Sequence, residues 1–305
     1  MNITKKSKYN FNLSSITPFE VAISGILFAL FMLFFAIKKT LFPGPLNIEI
    51  EHLFYILVGL IFPLLYGVFF AFMCDFAKML FQGRLYDWSY VYAIAPPLIV
   101  IVSWLFFSFY RKNRIAMLIF ASFLLVTTMY LNIIFVAYNS NNDVVLKKLF
   151  NIDKKSDFNR NLASYTLIII SLIYSLFTTI FILSVWIKYS INKRKAISSF
   201  EREYANNKLL TLFMIFVLVA FVSVLFRWAY GNFSLVHWIN TRRAITGSDK
   251  PQIPYFSSEY FAFGIWMIIK SGFETLIFTS ILIPLYSVLN ILKQRYMIDL
   301  KQIKW

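Results

Sequence analysis

Ionisable side chains are scarce within the long apolar stretches of this sequence, and four of them fall in two pairs at helical spacing. Asp75 and Lys78 are three residues apart, and Lys270 and Glu274 are four apart. Either spacing puts both partners on one face of a helix. If the stretches lie in lipid, such groups are costly and mark functional positions by default. Asp75 and Lys78 can neutralise each other, with the lysine stem reaching toward the surface. Lys270 and Glu274 fall roughly 10–20 Å below one membrane face, the depth of a pocket entered from that face. A third cluster is RWAYGNFSLVHW, which joins Arg227 to Trp228, Tyr230, Phe233 and Trp238. Such rings and a guanidinium can stack on a flat heteroaromatic ligand, or they can form the aromatic belt common at membrane interfaces.

Other chemistry is not signalled. There is no G-x-x-x-x-G-K-[ST] phosphate loop, no H-E-x-x-H and no Cys or His cluster at metal-ligand spacing. No catalytic residue and no metal ligand is therefore assigned, no cofactor is expected to be bound, and the chain is not expected to hydrolyse ATP or to be an enzyme. His52 and His237 both fall in segments expected to be outer loops. The lone cysteine, Cys74, lies in an apolar run and excludes an intrachain disulfide.

The elements that position these residues follow from composition. Hydrophobic residues make up 59% of the 305 and charged residues only 14%, against about 25% charged in an ordinary soluble domain. Apolar runs of about 20 residues, each long enough to cross a hydrocarbon core of about 30 Å, recur along the chain. They are expected to be helices, because lipid offers no partner to an open backbone and the alternation of a membrane barrel is missing. The spans read as 19 to 37, 53 to 64, 66 to 83, 89 to 110, 117 to 138, 163 to 187, 209 to 230 and 262 to 292. Pro63, between Gly59 and Gly67, is expected to split 53–81 into two short helices. The last span exceeds a bilayer and predicts a tilt, or a break near Gly264 or Gly272. The longest outer loops are 139 to 162 and 231 to 261. The first apolar stretch lacks a small-x-small cleavage site before Lys38 and Lys39 and is read as a retained span.

Charge gives the orientation. With the N-terminus inside, sixteen Lys and Arg fall in cytoplasmic segments and eleven in outer ones, with Lys78, Arg227 and Lys270 at membrane depth. That bias predicts both termini in the cytoplasm of a multi-pass cell-membrane protein. The fold class is thus an all-α transmembrane bundle of about eight spans. It consists of a cytoplasmic tail 1–18, one membrane domain 19–295 and a second tail 296–305. The net charge of +16 is spread beside membrane ends, so anionic lipid rather than nucleic acid is its expected partner.

Over 19–110 the segments EVAISGILFALFMLF, LFPGPLNIEIEHL and LVGLIFPLLYGVFFAFMCDFAKML, and later EYFAFGIWMIIKSGFETLIFTSILIPLYSVL, resemble the substrate-binding S component of energy-coupling factor (ECF) vitamin transporters. The resemblance implies a six-helix core, here with an extra pair at about 117–187, that binds a water-soluble vitamin from outside. Folate-like and riboflavin-like ligands are favoured. It implies a separate transmembrane coupling subunit and two ATPase subunits that use the ATP. Ala22, Gly25 and Ala29, a small-residue stripe on the first span, would contact the coupling subunit, where the family has A-x-x-x-A. Asn47, Trp88, Trp228, Tyr230, Lys270 and Glu274 would line the pocket, joined by Arg227 and Trp238 from the aromatic cluster. Two rival readings are an ion-coupled secondary transporter, for which helix breaks near Pro63 and Gly272 would be the signature, and a membrane enzyme acting on lipid or prenyl substrates.

Overall fold

A computed structural model describes residues 16–41, 50–83, 85, 89–139, 157–194, 199–247 and 251–302. All regular structure among these residues is helical. The first helix, α1 (Pro18–Leu41), begins on a reciprocal cap. The Thr17 amide donates to Glu20 Oε2 at 3.0 Å, and the Glu20 amide donates to Thr17 Oγ1 at 3.3 Å. One face of α1 buries Ile23, Leu27 and Phe31, while Val21, Ile26, Leu30 and Leu33 on other faces are exposed. That pattern recurs. Seven helical stretches are long and apolar enough to cross a membrane, and in five of them the most apolar window is only 22–28% buried. Exposed apolar surface on this scale is untenable in water and natural in lipid. The chain is therefore a multi-pass membrane protein.

Helix α2 (Glu51–Ile61) is shorter and different. Its eleven residues rise about 16 Å, half of a hydrocarbon core, and every residue from Leu53 to Phe62 is buried. Pro63 forces the chain to break as the sequence anticipates. Phe62 and Pro63 are extended (ψ 157° and 147°) before α3 (Leu64–Phe81) starts. The carbonyls left open at the end of α2 are taken by side chains from afar. Arg111 Nη2 donates to Leu60 O at 3.4 Å and Lys293 Nζ to Ile61 O at 2.9 Å. Gly59 allows α2 to touch the next long helix backbone to backbone, since a Cβ there would stand 2.7 Å from Val100 O and from Ser103 Cβ.

Residues 89–112 form a short α4 (Tyr90–Ala93) and then α5 (Ala95–Lys112), with the joint immediately before Pro96 and Pro97. They lead into α6 (Arg114–Asn139) and the 38-residue α7 (Asp157–Arg194), and then α8 (Ser199–Ser223), whose stretch Phe213–Ala220 is wholly buried. With α2, α8 forms the centre of the bundle, and the other helices surround them.

Three expectations need correction. The segment 231–261 is not a loop throughout, because α8 passes through a π-helical turn (Val224–Ala229) into α9 (Tyr230–Thr246). That helix ends at Gly247, whose left-handed φ of 61° suits glycine alone at no cost. Of the tilt or break expected for the last helix, the break at Gly264 or Gly272 does not occur. α10 (Ser258–Gln302) is one helix of 45 residues, about 67 Å, which also takes in most of the expected tail. An interior glycine costs a helix only about 1 kcal/mol, too little to interrupt one with this many backbone bonds. Finally, both histidines lie on helices, His52 on α2 and His237 on α9. The sequence pattern understates these helices because their polar ends lack the apolar run by which a span is recognised.

One end of the bundle gathers the basic helix termini. Lys293 pairs with Glu20 at 2.7 Å, Arg114 donates to Asn207, and Phe19 stacks on Tyr296. At the opposite end Asn240 clamps Ile253, donating to its carbonyl at 2.9 Å and accepting from its amide at 2.8 Å. Val236, Ile253 and Tyr260 pack beside this clamp as a small separate core.

Candidate functional site

The π turn positions the most heavily buried cation among the described residues. A helix that widens by one residue per turn shifts the faces that follow, and such turns are frequent at functional sites. Gly231 permits it here, since a Cβ at that position would stand 2.7 Å from the carbonyl of Phe226 five residues earlier. Arg227, in the middle of the turn, points into the bundle with its side chain 2% exposed and meets Glu274 of α10, which is fully buried, at 2.6 Å. A charge-assisted contact of this kind offsets the desolvation of both groups.

Beside the pair is a cavity of about 50 Å³, room for a few water molecules. It is lined by Asn132 and Val136 of α6, Leu167, Ile170, Ser171 and Tyr174 of α7, Ala220 and Ser223 of α8, Val224 and Trp228 of the π turn, and Ser271, Gly272 and Thr275 of α10. Counted along the helices from Arg114, Lys188, Lys208 and Lys293, these residues lie roughly 20–35 Å from the basic end, toward the end that carries α9. Two polar groups in the lining have no hydrogen-bond partner, Asn132 Oδ1 and Ser171 Oγ, in residues 3% and 5% exposed. Unsatisfied buried groups cost about 1–3 kcal/mol each and call for a water or ligand. Trp228 is oriented by its indole N–H, which donates to Ser271 Oγ at 2.7 Å, and Thr275 Oγ1 donates to the Ser271 carbonyl at 2.7 Å.

The residues expected at the site are distributed as follows. Trp228 lines the cavity, with Arg227 and Glu274 joined to each other behind it. Tyr230 faces away, its hydroxyl donating to Val91 O, and Trp238 lies under the Arg242 guanidinium at 5.1 Å. Asn47, Trp88 and the side chain of Lys270 lie outside the described residues, so the expected Lys270–Glu274 pairing does too. Asp75 and Lys78 do pair, at 2.9 Å. Their neighbour across α2, Tyr55, is buried with its hydroxyl unpartnered and lies within electrostatic reach of Asp75, Glu51 and Cys74. Ala22, Gly25 and Ala29 are exposed on α1, and a Cβ added at Gly25 would meet nothing within 4 Å.

Asn132, Ser171 and Ser223 are not apparent from charge or aromatic clustering. A signal was present in Asn132, the one amide between Arg114 and Tyr138 in an otherwise apolar helix. The pair of helices expected as an addition to a six-helix core supplies half the wall of the cavity.

No protein-family model, curated protein or solved structure matches this chain.

Proposed function

We propose that this protein is a membrane transport component that captures a small water-soluble solute in the cavity between α6, α7, α8 and α10. The observation that carries this reading is that two unpartnered polar groups, Asn132 Oδ1 and Ser171 Oγ, belong to residues that line the same membrane-depth void. In its specific form the proposal is an S component of an ECF-type importer, oriented with the basic end and both termini in the cytoplasm, the cavity toward the outside, and uptake driven by a coupling subunit and two ATPase subunits. Three features support it. The sequence has no phosphate loop of its own, the small-residue stripe Ala22, Gly25 and Ala29 is exposed where a partner helix could approach closely, and the cavity lies away from the basic end. A ligand as large as folate or riboflavin would require the helices around 50 Å³ to part, so smaller vitamins or precursors fit this arrangement better.

An ion-coupled secondary transporter is the second reading, favoured by the half-length α2, its break at Pro63 and the neighbouring Glu51, Tyr55, Asp75 and Lys78. The two are separated by one experiment. The tagged chain is purified from its native membrane and screened for co-purifying ATPase subunits, and solute uptake by cells is compared after ATP depletion and after addition of an ionophore. ATPase subunits together with ATP-dependent, ionophore-resistant uptake are expected. Ionophore-sensitive uptake without ATPase partners would favour the second reading, and absence of any solute-induced thermal stabilisation would sink both.

A further inference from the structure

The cavity also carries information about the charge of what it binds. Resting on the transport reading above, we infer that its ligand is a small uncharged molecule presenting both a hydrogen-bond donor and an acceptor, as a carboxamide, urea or hydroxylated heteroaromatic ring does.

Arg227 lies in the π turn that also supplies Trp228 to the cavity wall. A guanidinium at membrane depth would ordinarily be the natural counter-ion for a carboxylate or phosphate ligand, since it offers five fixed donors. Here its charge is matched within the protein. Nη1 is 2.6 Å from Glu274 Oε2, and both side chains are essentially inaccessible. An anionic ligand would have to compete with a carboxylate already in place, and it would carry an unmatched charge into a desolvated site.

Among the described residues the lining holds no carboxylate, amine or guanidinium. Its polar contributors are an asparagine, a tyrosine, a tryptophan and hydroxyl residues. The two unpartnered groups differ in kind. Asn132 Oδ1 can only accept, so the ligand must donate to it, whereas the Ser171 hydroxyl can donate to a ligand acceptor. They project from different helices, α6 and α7, into one cavity, so a ligand that carries both a donor and an acceptor can serve both. Trp228, fixed to Ser271 at 2.7 Å, offers an apolar ring face to the remainder of the molecule. The volume of about 50 Å³ sets the scale at a few heavy atoms before the helices move.

The test uses the purified full-length chain in detergent and follows thermal unfolding with matched probes: acetamide against acetate, nicotinamide against nicotinate, and urea. The uncharged member of each pair is expected to stabilise at a concentration at least about 10-fold lower than its anion. Asn132→Leu and Ser171→Ala should each raise the concentration needed by about 10-fold. The double variant Arg227→Met with Glu274→Leu, which removes the pair while keeping its bulk, should retain the preference for the uncharged member. Equal or tighter binding of the anions, or stabilisation by the uncharged probes at an unchanged concentration in both lining variants, would overturn the inference while leaving the cavity as a solute site. Stabilisation by none of the probes or of any wider set of charged solutes would remove the cavity-binding reading itself.

Discussion

Arg227 and Glu274 meet as a buried ion pair, and this makes a sharp prediction at the scale of single residues. Arg227→Ala removes the cation 2.6 Å from Glu274 Oε2 in a site with no exposure and should cost about 3–5 kcal/mol, more than removing both charges with residues of similar bulk. Thermal unfolding of the two variants in the same detergent distinguishes these outcomes, and equal losses would contradict the pairing. Glycines make a second contrast. Gly59→Ala would place a methyl 2.7 Å from Val100 O and should cost about 1–3 kcal/mol by overpacking, while Gly25→Ala, with open space at its Cβ, should cost nothing and raise the stability of the isolated chain by up to about 1 kcal/mol. The charges at depth were legible in the sequence because ionisable residues interrupt apolar runs. Their pairing was not, because Arg227 and Glu274 are 47 positions apart and sequence spacing reports only partners within a few turns of one helix.

At the scale of elements, the same division holds. The break at Pro63 follows from the missing amide and the constraint on Phe62, both local facts, so the sequence indicates it. The π turn does not announce itself, since Gly231 resembles any other glycine until Phe226 O is seen five residues behind it. Its role can be tested. Gly231→Ala should force the turn toward regular α geometry, rotate Arg227 away from Glu274 and lower the unfolding temperature, by about 1–3 kcal/mol in stability for the overpacking alone. Such a variant should also lose stabilisation by whatever solute the cavity binds. If the Gly231→Ala protein kept both properties, the turn would have no part in shaping the site. The helices that the sequence pattern understates, α9 and the first turns of α10, are held by polar interlocks such as Asn240 with Ile253 beside only a small apolar core. Hydropathy is blind to contacts of that kind.

For the whole molecule, orientation is the claim most easily checked. Cys74 is the lone cysteine and is buried, so introduced cysteines can be read against a silent background. Thr246→Cys should react with an impermeant maleimide on intact cells, and Gln294→Cys only after permeabilisation, if the basic end faces the cytoplasm. The opposite pattern would invert the topology and put the cavity on the inner side. The same end of the bundle bears on biogenesis as well. Glu20, buried on α1, has its cation in Lys293, 273 positions later in the chain. At a synthesis rate of about 5–20 residues per second, that carboxylate waits roughly 15–55 s between its own insertion and the arrival of its partner. During that interval the first helix is held at the membrane with a charge at its start and the carbonyl of Ile61 without its Lys293 donor. Quality control therefore has a natural checkpoint here, because a chain truncated anywhere before Lys293 carries the same unfinished end, however many of its helices are already in place.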